Sequence, residues 1–353
     1  TNTTQPADPR GLWATKLKTA REKGAAAVLA VRHPDDEAFE AILETYGEYL
    51  SEDRMSFTGP DSLTPFAVVT VRPSLGAKLA GLTKRNYQRL NLPMRPEQRQ
   101  ALMRKSRPAQ VRLQADRDVS PFTTENVLGV IEGGEHPDEV VVITAHYDHL
   151  GRRGNVIYNG ADDDGSGTAA VMEMAEAFAA AAADTQQPPP RRSILFMAVT
   201  GEEKGLLGSE HYAQFPVFPI EAHVANLNID MIGRTDPAHE GDDDYLYLIG
   251  SDRLSAELHE LSEEVNRTYG DLDFDYTYNA PDDPNRFYYR SDHYNFARRG
   301  VPVIFYFSGV HEDYHRPTDT VEKINFARAE RITRLVFYTA WELANRPERV
   351  KVD

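Results

Sequence analysis

The chain has 353 residues, a formal net charge of −16 and a pI near 5.2. That acidity disfavours nucleic acid as a partner, and no apolar run reaches the roughly 20 residues that cross a bilayer. Cysteine is absent, which excludes disulfides, thiolate catalysis and Cys-ligated zinc, so any metal must be held by His, Asp and Glu.

Hydrophobic residues make up 41% and charged residues 27%, the balance of an ordinary globular protein with one large domain or two unequal ones. The chain starts at Thr1 rather than methionine, so a processed chain with its secretion signal removed is expected, secreted or periplasmic. Residues 1–10 read as a loose polar terminus. Leu12 to Lys23 predicts a helix, stopped by Gly24, and Ala25 to Val31 a strand. His33 to Asp36 is a turn, and Phe66 to Val71 is a second strand followed by a helix from Ala77. The basic, proline-containing stretch from Arg95 to Pro108 reads as a boundary. It separates an accessory domain over 1–107 from a larger domain over 108–353.

Beyond it, Val111 to Ala115 and Asn126 to Ile131 alternate as strands. Val140 to Thr144 is a run of β-branched residues, the pattern of a strand buried on both faces. An Ala-rich helix over 168–183 follows, then a proline loop over 185–190. Ile194 to Val199, His223 to Ile229, Tyr245 to Ile249 and Val301 to Phe307 read as further strands. Leu206 to Phe215, Arg253 to Arg267 and Phe326 to Ala344 read as helices. Residues 270–290 show no period and predict a long surface loop. Strands alternating with helices predict an α/β fold: a mostly parallel central sheet with helices on both faces, plus the small N-terminal α/β domain.

Four apolar strands run into His, Asp or Glu: Thr144 before His146, Val199 before Glu202-Glu203, Ile229 before Asp230, and Phe307 before His311 and His315. In an open α/β sheet such ends converge on one edge, so separate segments can supply one metal cluster. Each motif also has a plain reading. Asp162 to Gly167 suits a turn and helix N-cap, and Glu202-Glu203 suits a helix start. Its three contiguous aspartates do not fit the alternate spacing of an EF-hand. Asp230, between Ile229 and Met231-Ile232, is harder to dismiss, because an unpaired carboxylate there is costly. The acidic runs Asp242 to Asp244 and Asp282-Asp283 read as solvated loops. His311 to His315 matches H-E-x-x-H, but a strand and Gly309 precede it and Pro317 follows. A turn rather than a helix is expected, so the two histidines need not share a metal.

The ordered set HYDHLG, GADDDGSG, TGEEKGLLGS, NIDMIG and YHRPTDT resembles metallopeptidase family 28, the two-zinc aminopeptidases and their relatives, from about Arg112 to the C-terminus. Residues 11–90 resemble part of a protease-associated domain lacking its start, so the chain is expected to be a piece of a longer precursor. The resemblance implies a zinc-aminopeptidase, phosphorylase/hydrolase-like fold. It also implies two Zn2+ per chain, with Co2+ or Mn2+ as possible substitutes. His146 and Asp230 would hold one metal, Glu203 and His315 the other, with Asp163 as the bridge. Asp148 would orient His146, Glu202 would act as general base on a metal-bridging hydroxide, and Tyr314 would stabilise the oxyanion. Ser291-Asp292-His293 also resembles a family segment, with Ser291 read as a helix cap and His293 as a neighbour of the site. The implied activity is removal of N-terminal residues from peptides. Alternatives are a carboxypeptidase, for which Arg286 or Arg290 would face the substrate carboxylate, a one-zinc glutaminyl cyclase, or a metal-free binding module.

Overall fold

The central strand is buried on both faces because it lies in the middle of a seven-stranded sheet. The computed structural model describes residues 9–51, 55–57, 66–90, 92–104, 106–107, 109–114, 118–184 and 188–353. Most of the loose terminus (residues 1–8), Ala115 and residues 185–187 of the proline loop lie outside them. Two units divide the chain, Thr1–Pro121 and Phe122–Asp353.

In the first unit the elements are α1 (Pro9–Glu22), β1 (Ala27–Ala30), α2 (Asp36–Ser51), β2 (Ala67–Thr70), α3 (Pro73–Leu79), α4 (Lys84–Leu90) and α5 (Pro96–Met103). β1 and β2 pair in parallel, Ala27 opposite Ala67. Three of these helices were not expected. α2 lies outside the elements expected from the sequence, and α5 falls inside the proline-containing stretch that reads as a boundary. Pro96 at its first turn fixes φ without removing a needed donor, so this proline starts a helix.

The second unit contains β3 (Val127–Ile131), β4 (His136–His146), the hairpin β5 (Gly151–Arg153) and β6 (Val156–Tyr158), α6 (Gly165–Ala183) and β7 (Arg192–Val199). It continues with α7 (Leu207–Gln214), β8 (His223–Ile229), β9 (Tyr245–Ile249), α8 (Ala256–Val265), β10 (Asp273–Asp275), α9 (His293–Ala297), β11 (Val303–Phe307) and α10 (Phe326–Asn345). Val111 to Gln114, expected as a strand, has no strand assignment.

The sheet order is β10-β9-β11-β8-β4-β7-β3. The four inner strands β11, β8, β4 and β7 are all parallel. β9 runs antiparallel to β11, and β3 antiparallel to β7. The sheet is therefore mixed, and the expected parallel arrangement is borne out in part: it holds for the four inner strands and for β10 with β9, but not for β9 with β11 or β3 with β7. An apolar alternation reads the same in either direction, so it could not give the direction of β3 or β9. β3 turns through Gly133-Gly134 across the start of β7. A Cβ on Gly133 would lie 2.5 Å from the Arg192 carbonyl carbon, so only glycine permits that crossing.

Alternate residues of β4 serve opposite faces. Val141, Ile143 and Ala145 pack with Met174 and Phe178 of α6, Leu258 of α8, and Ile332, Leu335 and Val336 of α10. Val140 and Val142 pack with Leu195, Met197, Tyr212 of α7 and Phe296 of α9. This gives helices on both faces. No helix among the described residues is long and apolar enough to cross a membrane.

Phe178, fully buried, lies 4.4 Å from the Phe337 ring and 5.7 Å from that of Phe196. Phe178→Ala should destabilise this unit by about 3–5 kcal/mol. The expected readout is a lower urea midpoint with an unchanged m-value.

Candidate metal centre

Because β11, β8, β4 and β7 are parallel neighbours, their C-terminal ends lie on one edge. β4 ends on His146, whose main-chain N–H donates to Asp164 Oδ2 (3.2 Å) and whose carbonyl accepts from Thr168 Oγ1 (2.7 Å). The start of α6 is thus tied to the end of β4.

The three consecutive aspartates do different work. Asp162 accepts from the Gly233 N–H (2.6 Å) and sits 3.2 Å from His311 Nε2. Asp164 caps α6 through the Gly167 N–H (2.9 Å) and also accepts from the Met231 N–H (3.1 Å). Asp163 faces two imidazoles, with Oδ1 3.2 Å from His146 Nε2 and Oδ2 3.2 Å from His315 Nε2. Asp319 accepts from the N–H groups of both Asp162 and Asp163 (3.0 and 3.2 Å), which fixes the turn.

After β7, Gly201 at φ +68° turns the chain into Glu202 and Glu203. Asp148 accepts from both of their N–H groups, at 3.1 and 3.4 Å. Its carboxylate therefore aims the Glu202-Glu203 turn. The group of Asp148 nearest His146 Nδ1 is its main-chain oxygen (2.9 Å), while the carboxylate Oδ1 is 3.9 Å away. Glu202 Oε2 lies 3.9 Å from His146 Nε2, and Glu203 Oε2 lies 3.1 Å from His315 Nε2.

After β8, Asp230 Oδ1 stands 3.8 Å from His146 Nε2. Its other oxygen accepts from Ser291 Oγ at 2.7 Å. Ser291 Oγ accepts from Asn228 Nδ2 (2.9 Å), Asn228 Oδ1 accepts from Thr144 Oγ1 (2.6 Å), and Thr144 Oγ1 accepts from Asn226 Nδ2 (3.0 Å). A hydroxyl has one proton. With Asn228 donating to it, Ser291 must give its proton to Asp230. Ser291 therefore anchors a carboxylate, a role its sequence did not disclose.

Residues 311–315 form a turn, with His315 at φ +57°. His311 and His315 go to different aspartates, which removes the single-zinc H-E-x-x-H arrangement. Tyr314 stacks on the His315 ring at 3.9 Å. Burial, and then Asp163, push the Tyr314 phenol up, so it stays protonated at neutral pH.

His149 was missed in the sequence. Its Nδ1 is 2.9 Å from Glu203 Oε1, and Gly160 at φ +64° packs where a Cβ would lie 2.5 Å from the ring. The signal was there, one helical-turn spacing after His146, but such spacing means little in a loop. His293 is stacked on Phe305 at 4.7 Å, and burial pushes its imidazole down to about 3, so it stays neutral. The 270–290 stretch is not simply a surface loop. It contains β10 and buries Phe287, which lines the cleft beside Glu202 and Asp230. In the acidic runs, Asp244 pairs with Arg331 and Asp283 accepts from the Phe287 N–H.

Among the described residues two groups of possible ligand atoms result, His146, Glu202, Asp230 and His149, Asp163, Glu203, the atoms within each group lying within 4.8 Å of one another. His146 Nε2, Asp163 Oδ2 and Glu203 Oε1 are buried without a hydrogen-bond partner. Each instead faces another possible ligand at short range, Asp163 Oδ1 for His146 Nε2 (3.2 Å), His315 Nε2 for Asp163 Oδ2 (3.2 Å) and His149 Nδ1 for Glu203 Oε1 (2.9 Å), as atoms around bound cations do. The donor set, imidazole and carboxylate without thiolate, suits zinc, cobalt or manganese. Local charge agrees. Burial would lower His146, but Glu202, Asp163 and Asp230 override it and raise its pKa. Burial would likewise lower His315, but Asp163 and Glu203 raise it to about 9. The local surplus of negative charge that raises both rings is one that divalent cations would neutralise.

The chain is similar to known proteins in sequence and in fold. The profile of Peptidase family M28 matches residues 126–340. Aminopeptidase YwaD of Bacillus subtilis is 28% identical over 239 residues, 65% of this chain and 47% of that protein. Leucine aminopeptidase 2 of Trichophyton rubrum is 28% identical over 295 residues, 77% of this chain and 55% of that protein. The structure of BSAP, a zinc aminopeptidase from Bacillus subtilis, matches with a TM-score of 0.50 and 26% identity, over 64% of this chain and 51% of that one. The chain spans about half the length of the curated relatives it matches.

Ser291→Ala would leave a buried amide and a buried carboxylate oxygen unpaired. It should weaken divalent-cation affinity about 10–100-fold, read by competition with a chromophoric chelator. An unchanged affinity would refute the anchoring role.

Proposed function

The chain belongs to peptidase family M28, and from that membership we propose that it is a two-zinc aminopeptidase acting on peptides. The observation that carries the reading is Asp163, with one carboxylate oxygen toward His146 and the other toward His315, each at 3.2 Å. His146 and Asp230 would hold one cation, Glu203 and His315 the other, with Asp163 shared. His149 stands ready beside Glu203. Cations bound there supply Lewis-acid polarisation of a carbonyl and lower the pKa of water.

The remaining chemistry belongs to side chains. Glu202 lines the cleft and is the general base. It takes a proton from the attacking water and returns it to the leaving amine. Burial raises its carboxyl; Asp230, Asp292 and Glu203 raise it further, and His146 opposes them. A raised carboxyl suits a proton carrier near neutral pH. Asp148 keeps Glu202 in place through the main chain, and the Tyr314 hydroxyl donates to the developing oxyanion.

The cleft walls suit a free N-terminal residue. Met231, Phe287, Phe305, Phe307 and Val310 offer an apolar lining for its side chain. The N-terminal part of the chain, 1–107 beside a catalytic domain over 108–353, is proposed as a protease-associated-like accessory domain. That residues up to Pro121 form a unit of their own supports a separate domain.

Glu202→Gln should keep its metal, counted by elemental analysis, and lose about 10²–10⁴-fold in kcat. Wild-type turnover by this variant would remove Glu202 from the mechanism. On a panel of aminoacyl p-nitroanilides, leucine and phenylalanine should be cleaved faster than glutamate, with activity abolished by a chelator and restored by zinc. The N-acetylated forms should not be cleaved, and their hydrolysis would reject the exopeptidase reading.

A further inference from the structure

The wall of the cleft carries a guanidinium that the proposed reaction does not use. Arg290 lies at the end of the 3-10 turn Phe287–Tyr289, its N–H donating to the Phe287 carbonyl (2.9 Å). The turn is pinned from the other side, where Asp283 accepts from the Phe287 N–H (3.0 Å). The Arg290 guanidinium lies 4.8 Å over the Phe287 ring, and Nη2 donates to Tyr314 Oη at 3.3 Å.

Resting on the proposed role of Tyr314, we propose that Arg290 is the positioning residue that points the Tyr314 hydroxyl proton at the substrate's carbonyl oxygen. A guanidinium has only donors. In its contact with Tyr314 the phenol oxygen must accept, and the single phenol proton must leave in another direction. Among the described residues Tyr314 Oη has no further hydrogen-bond partner in the protein. The proton is thereby available to the cleft that Tyr314 lines together with Glu202 and Asp163. Those carboxylates are acceptors that compete for it. A phenol free to rotate would donate to one of them, whereas one already accepting from Arg290 is restricted in where its proton can go. The stack on Phe287 and the closed turn keep the guanidinium itself from swinging away.

The test is a double-mutant cycle on the zinc-loaded chain with leucine p-nitroanilide, a substrate without a carboxylate. Tyr314→Phe should lower kcat about 100-fold. Arg290→Met, which keeps bulk over Phe287, should lower kcat about tenfold with KM within about twofold. Arg290→Met added to Tyr314→Phe should cost nothing more, and Arg290→Lys, again donor-only, should recover part of the loss. A leucine phosphonate, a tetrahedral anion, gives a readout without turnover. By calorimetry its affinity should fall in the two single variants and fall no further in the double. If Arg290→Met costs the same with or without Tyr314, or raises KM at constant kcat, Arg290 acts on substrate directly and the proposal fails. If Tyr314→Phe leaves kcat and phosphonate affinity unchanged, the role given to Tyr314 fails, and with it the proposal. If the wild type shows no turnover, the aminopeptidase reading fails while phosphonate binding still judges Arg290.

Discussion

Five carboxylates, those of Asp148, Asp163, Glu202, Glu203 and Asp230, are gathered with three imidazoles at one edge of a sheet. Like charges at such distances repel, and burial makes each ionised group costlier. Much of the surrounding chain is organised to hold them against that repulsion. Strands that are parallel neighbours fix the starting points. Main-chain amides then take the oxygens that do not face the cluster. Asp148 is occupied by two N–H groups, and Asp164, just behind the cluster, by three. A carboxylate with its outward oxygens bonded in this way can turn only what is left toward a cation.

The buried polar path through Asn226, Thr144, Asn228 and Ser291 to Asp230 follows the same logic inside the sheet. Thr144 interrupts β4, and Asn226 and Asn228 interrupt β8, where the neighbouring positions are aliphatic and fully buried. Polar groups in such a place are costly unless every donor finds an acceptor. Here each hydroxyl accepts from an amide and so must donate onward, which gives the path a direction that ends on the carboxylate. Arg290 at the cleft wall uses the same rule in an exposed setting: a donor-only partner decides where a hydroxyl proton goes.

Much of this was legible in the sequence. Strand existence followed from β-branched runs, and the convergence of His146, Glu202-Glu203, Asp230 and His315 followed from placing those runs in one parallel block. The turn around His311 and His315 was legible from Gly309 and Pro317, whose backbone demands oppose a helix. Strand direction was not legible, since periodicity has no sense of direction, so the antiparallel pairing of β3 with β7 and of β9 with β11 could not be foreseen. α2 and α5 were missed where charge and proline obscured the period. The atoms each residue uses were also hidden. Asp148 was expected to orient His146, and it is the main-chain oxygen of Asp148 that lies nearest the ring, because the carboxylate is drawn to two amides of a turn more than fifty residues away.

The aspartates 162–164 show why the remainder needed three dimensions. They are chemically identical, and any of them could cap a helix or receive a metal. What separates them is the set of donors each meets: Gly233 and His311 for the first, His146 and His315 for the second, the first turn of α6 and Met231 for the third. Every one of those partners but the helix turn belongs to another segment. Chemical identity in the sequence therefore becomes difference of function only through long-range contacts. The middle residue is available for the cleft because its neighbours on either side are already committed to the framework.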